Sequence, residues 1–230
     1  MTPSKLKTLF GAVLMSAAFA SQAASVTTVP LTGMSTDIRT WSDGSAYNAL
    51  YDSTQVLGGV PFTFAEDASH NTAIYNAAPV TLTTNIANPG TVYTLVNTAF
   101  GSLGSDSGSI TFNGSGGATF TVHYIQGDNV RDHFYNGFVN STSSPSVSPA
   151  VWGMNAPGNA HLDMQTIVLP DAFHSQTLTS IVFDSTYANT GTGIAFLAGV
   201  SVAAVPEPGE YAMLLLGMGL LGAAARRRRA

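Results

Sequence analysis

Along the middle of the chain, apolar and polar residues alternate with a period of two. Thr119-Phe120-Thr121-Val122-His123-Tyr124 sets Phe, Val and Tyr on one side and Thr, Thr and His on the other. Thr91-Val92-Tyr93-Thr94-Leu95-Val96 has a similar rhythm. Successive side chains of an extended strand point to opposite faces, so this period predicts half-buried β-strands. Further strand-sized runs are Val26–Val29, Ile38–Trp41, Val60–Phe64, Val80–Thr84, Ser109–Phe112, Thr166–Leu169, Leu178–Phe183 and Ile194–Val202. Turn-forming clusters divide them: Ala87-Asn88-Pro89-Gly90, Asn113-Gly114-Ser115-Gly116-Gly117 and Ala188-Asn189-Thr190-Gly191. Ile110–Phe112 and Thr119–Tyr124 flank one of these clusters and predict a hairpin. The Ser/Pro-rich stretch Asn140–Pro149 predicts a surface loop. About ten short strands, with no long helical pattern between the two ends, predict an all-β body: an antiparallel β-sandwich over residues 24–204.

The two ends follow other patterns. At the start, Lys5 and Lys7 precede the apolar run Leu9–Ala20, and Ser21-Gln22-Ala23 supplies small residues at a cleavage site. This order predicts a secretory signal peptide over residues 1–23 and passage through the secretion machinery. At the other end, residues 205–230 hold Pro206-Glu207-Pro208, then the uncharged run Tyr211–Ala225, then Arg226-Arg227-Arg228-Arg229. The prolines break any continuing helix or central strand. The run of fifteen residues predicts a short transmembrane helix. At about 1.5 Å each it spans roughly 22 Å, a marginal fit to a hydrocarbon core of about 30 Å. The four arginines predict a cytoplasmic stop. Pro-Glu-Pro, short span and arginine tail in this order resemble the PEP-CTERM sorting signal of Gram-negative bacteria. The resemblance implies recognition by an exosortase, a membrane-bound cysteine transpeptidase. It further implies an inner-membrane intermediate, then delivery to the cell surface or extracellular matrix.

With both ends set aside, the body keeps two cations, Arg39 and Arg131, against eleven carboxylates, a formal charge of −9. A nucleic-acid partner is not expected, because nothing basic remains to neutralise phosphates. Cysteine is absent, which excludes disulfide staples and thiol chemistry. The body must hold itself together with its own apolar core, and at this length it can.

The most unusual segment is Gly127-Asp128-Asn129-Val130-Arg131-Asp132-His133. Arg131 brings a planar fork of donors that can grip a carboxylate or sugar hydroxyls. Asp128, Asn129 and Asp132 bring hard oxygens suited to Ca²⁺, and Phe134 and Tyr135 follow with rings that can stack on sugars. Two arrangements are open. In one, these six residues form a binding face at the rim of a sheet. In the other, Arg131 pairs internally with Asp128 or Asp132 and holds a loop. The histidines His70, His123, His133, His161 and His174 show no tight metal spacing, and no Gly-x-Ser-x-Gly elbow occurs.

The stretches Val60-Pro61-Phe62, Tyr93–Gly101, Ile110–Tyr124 and Gly127–His133 resemble galactose-binding-like jelly rolls, among them carbohydrate-binding modules of the NPCBM type. The resemblance implies a jelly-roll-like sandwich. The expected protein is an exported, non-enzymatic surface or exopolysaccharide-matrix component with a glycan-binding or structural body. The alternative is a secreted carbohydrate-active hydrolase, for which the single glutamate of the body, Glu66, offers little.

Overall fold

In the computed structural model, the described residues are 25–41, 44–75, 78–185 and 191–205. The expected signal peptide, Pro206-Glu207-Pro208, the apolar run and the arginine tail lie outside them. Among the described residues no helix is long and apolar enough to cross a membrane.

Twelve strands carry the body: β1 Val26–Val29, β2 Ser53–Leu57, β3 Val60–Phe64, β4 Ile74–Tyr75, β5 Val80–Ala87, β6 Pro89–Ala99, β7 Asp106–Gly114, β8 Thr119–Ile125, β9 Val147–Gly153, β10 His161–Val168, β11 Thr177–Asp184 and β12 Ile194–Ala204. Six form one sheet in the order β1-β12-β6-β10-β9, with β4 also paired to β12. Four form a second, β5-β11-β7-β8, and β2 and β3 form a separate hairpin. All named strand pairs are antiparallel.

The six-stranded sheet is covered on both faces. On one, Val92, Val96, Leu197, Val200 and Val202 meet Leu82, Ile110, Phe112, Leu178, Ile181 and Phe183 of the four-stranded sheet. On the other, Leu95, Leu162, Met164 and Phe196 meet Leu57, Val60, Phe62 and Phe64 of the hairpin, with Tyr47 and Leu50 of the 3₁₀ segment Gly44–Leu50. Double burial explains β12, which reads as a nearly continuous apolar run because neither face meets water. At Gly199 a Cβ would lie 3.0 Å from Leu95 Cδ1 and 3.1 Å from Phe62 Cδ1, so its missing side chain lets the hairpin close. The four-stranded sheet is wet on its outer face, and there the alternation is clean: Thr111 and Thr121 sit opposite each other in β7 and β8 with hydroxyls 2.8 Å apart.

Four segments depart from the sequence expectation. Ile38–Thr40 is a 3₁₀ turn, because the Asp37 side chain accepts from the Arg39 N–H and starts a helical turn where hydrophobicity alone suggested a strand. β2 and β4 add unexpected strands. The end of the expected 140–149 loop is β9, whose Pro149 is tolerated because β9 is the sheet's edge.

Candidate functional site

Strand β6 pairs with β10 from Thr91↔Val168 to Leu95↔Met164. Beyond that point the segment Arg131–Phe134 lies between them. Thr98 N–H donates to the Arg131 carbonyl (2.9 Å), and His133 N–H donates to the Thr98 carbonyl (2.8 Å). On the other side, His161 N–H donates to the His133 carbonyl (2.8 Å), and Phe134 bridges to Ala160. The segment is thus a wedge that continues the sheet where the two strands part.

Polar side chains fill the junction. Arg131 is 2% exposed, and its fork closes on Asp163 through Nε to Oδ2 (2.6 Å) and Nη2 to Oδ1 (2.8 Å). Its Nη1 donates to the Asn140 carbonyl (2.8 Å) and to Asn155 Oδ1 (2.7 Å). Asp163 also accepts from Asn97 Nδ2 (3.0 Å) and from the Ala150 N–H (2.7 Å). Asn97 returns the bond by accepting the Asp163 N–H at 2.8 Å, and Gln165 bonds both the N–H and the carbonyl of Val96. These side chains replace the ladder bonds that the wedge interrupts.

Next to this brace sits a carboxylate that has no ion pair among the described residues. Asp132 is 2% exposed and accepts from the N–H groups of Phe100 and Phe134, each at 2.7 Å. Burial pushes its pKa up to about 6, against the pull of those two bonds. His133 is also buried; loss of solvent, reinforced by the neighbouring His161, lowers its pKa to about 3. Burial lowers His161 too. Tyr47 ties the pair together: its Oη lies 3.1 Å from His133 Nδ1 and donates to the His161 carbonyl at 3.0 Å.

The six residues expected to share a binding face are distributed otherwise. Arg131 does pair internally, but with Asp163 rather than with Asp128 or Asp132. Asn129 braces its own loop, accepting from the Ile125 N–H and donating to the His123 carbonyl, both at 2.8 Å. Phe134 is half-buried against the second core cluster, and Tyr135 is half-buried. Asp128 alone of the six is exposed, and it accepts from the Ser143 hydroxyl at 3.0 Å. Among the described residues no group of three or more His, Asp or Glu side chains is placed to hold a metal ion. A shallow, open depression of about 470 Å³ lies nearby, bordered by Ala46, Trp152, Met154 and Asn159. The Trp152 indole N–H is held by the Ala46 carbonyl at 2.9 Å.

The body closes at Val205, whose N–H donates to the Asn88 carbonyl at 2.8 Å, and Pro206-Glu207-Pro208 follows at once. Residues 204–229 match the PEP-CTERM protein-sorting motif. No curated protein matches the chain. A PEP-CTERM motif implies export, a C-terminal membrane-anchored intermediate in a Gram-negative bacterium, and processing by an exosortase.

In the body that precedes the motif, the sequence expectation missed Asp163. The signal available was period two: in His161-Leu162-Asp163-Met164-Gln165 the apolar Leu and Met face one core, leaving three polar residues on a face that a strand normally fills with hydrocarbon.

Proposed function

We propose that this is a non-enzymatic component of the cell surface or extracellular polysaccharide matrix, with a body that binds glycan or serves as a structural element. The PEP-CTERM match directly after β12 carries the proposal, because it implies export of everything before it. The course of the chain supports it. β1, β6, β10 and β12 lie in the six-stranded sheet and β5, β7, β8 and β11 in the other, an alternation that we read as a jelly roll, an architecture common among lectins. Architecture alone does not fix activity. Most glycoside hydrolases use two carboxylates flanking the scissile bond. Asp132 and Asp163 are both buried, with oxygens already engaged by N–H donors, which favours binding over turnover.

The test is a glycan array probed with the protein recovered from the cell surface, with and without calcium, alongside a reducing-sugar assay. Retention without release of reducing ends is expected; release at catalytic turnover would reverse the ranking in favour of the hydrolase. Deleting Arg226–Arg229 should impair processing, and mass spectrometry of the mature protein should show loss of the apolar tail. An intact C-terminus on surface-localised protein would defeat the sorting half of the proposal.

A further inference from the structure

Phe100 has a backbone φ of +68°, a left-handed conformation that a bulky side chain rarely adopts. Such strain costs on the order of 1–3 kcal/mol and persists only where the surroundings enforce it. Here they do. The Phe100 N–H is held by Asp132 Oδ2 (2.7 Å), and its carbonyl accepts from Gln126 Nε2 (3.0 Å) and Thr98 Oγ1 (3.3 Å). These bonds do not bury the ring. Phe100 stays 43% exposed, edge-on to Phe138, also 43% exposed, with centroids 5.4 Å apart.

The apolar surface continues beyond the two rings. Leu103 is 79% exposed and lies across Gly127, where a Cβ would come within 2.1 Å of Leu103 Cδ1 and 3.5 Å of Val139 Cγ1. Gly127 itself has φ +81°, so its side-chain-free backbone is required twice over. Three of the exposed large apolar residues of the described body thus gather at one end of the sandwich. Exposed Asp128 follows Gly127 directly, and Ser102 lies between Phe100 and Leu103.

We propose that Phe100, Leu103 and Phe138 form a stacking platform for the sugar rings of a neutral polysaccharide, with Asp132 as the buried positioning residue that keeps Phe100 presented. The proposal rests on the glycan-binding half of the function proposed above and supplies its site. Sugar rings combine apolar C–H faces with a hydroxyl rim, and the platform pairs rings with a carboxylate and a serine at its border. Charge selects neutral over anionic partners. The body's formal charge is −9, and both of its arginines are ion-paired, Arg131 with Asp163 and Arg39 with Asp37 and Glu66. Nothing there draws a uronic acid polymer or an anionic membrane.

The experiment uses the full chain in detergent, assayed by affinity electrophoresis in gels containing dextran, mannan, agarose or alginate, and by flotation with anionic vesicles. Phe100→Gly removes the ring while giving the strained position the residue best suited to it, so the melting temperature should hold within a few degrees. Phe138→Ala provides a second removal at ordinary backbone geometry. Each is expected to weaken retention by a neutral glycan about tenfold, the usual scale of a stacking hot spot. No retention of the wild type by any neutral glycan would remove the glycan-binding reading and this one with it. Retention unchanged in both folded variants would leave glycan binding standing and overturn the platform. Preferential retention by alginate, flotation with vesicles, or a dimer in sedimentation that the variants abolish without a change in glycan retention would each overturn it as well.

Discussion

Arg39 and Arg131 are the two cations of the body, and both are ion-paired, but in surroundings that give the same contact different weight. Arg39 reaches Asp37 at 2.8 Å and Glu66 at 2.7 Å with all three side chains 20–28% exposed. Water still solvates each charge, and Arg39 holds Glu66 below the ordinary carboxylate range, aided by His70. Arg131 and Asp163 are 2% and 0% exposed. There the pair must replace water entirely, and it does so with a bidentate grip plus four further hydrogen bonds, to Asn140, Asn155, Asn97 of β6 and Ala150 of β9. A surface pair adds little to stability, whereas a buried pair adds little as a pair but much as an obligation: neither half tolerates losing the other.

Truncation of the buried cation should break the comparison most visibly. Arg131→Ala leaves Asp163 buried without its fork and is expected to cost about 3–5 kcal/mol in urea unfolding. A loss as small as that of a surface residue would mean that water reaches Asp163. Arg131→Lys sharpens the point: one ammonium cannot reproduce the planar fork, so most of the loss should remain although the charge is kept.

Titration separates the regions next. The unfolded chain takes protons on His133 and His161 near the ordinary histidine value of 6.5, while burial holds folded His133 neutral to about 3 and also lowers His161. Their contribution is therefore present above about pH 6.5 and lost as pH falls below it. Asp132 runs the other way. Folded, it takes its proton at about 6, well before the unfolded value of 3.8, so it adds stability as pH falls through that window. Asp132→Asn removes this offset, and unfolding free energies at pH 6.5, 5 and 4 should decline more steeply than in the wild type. Equal slopes would place the Asp132 carboxylate in contact with solvent.

The smallest effect is reserved for Arg39→Ala. Its melting temperature should fall by less than about 3 °C, with part of that difference vanishing at high salt, because the pairs it breaks are already screened. Some of the shift will be lost packing, since the guanidinium lies 5.1 Å from the Tyr51 ring centroid.

A wet face made some strands legible, but it did not reveal β2, which alternates in burial and was still missed. Alternation located β8 and β11 well because their outer faces meet solvent, and of β7 it found only the centre. It failed at β9, whose proline and serines read as a loop until its edge position is known, and at Ile38–Thr40, where a side-chain cap outweighed a short apolar run. The wedge was legible by its odd composition but not by its role. Arg131 finds its partner 32 residues on, across a strand, and no local spacing carries that information. Phe100 was invisible as a surface residue, since a phenylalanine at the end of an apolar strand ordinarily turns inward.

β12 is the last strand before the sorting motif, and it is bonded along both edges: to β6 from Ile194 to Ala204, and to β4 and β1 on the other side. A pull along its axis meets two ladders loaded in parallel. Bonds stretched side by side share tension, whereas bonds peeled in sequence break one at a time. The body therefore ends on a strand that resists being drawn out along its own axis.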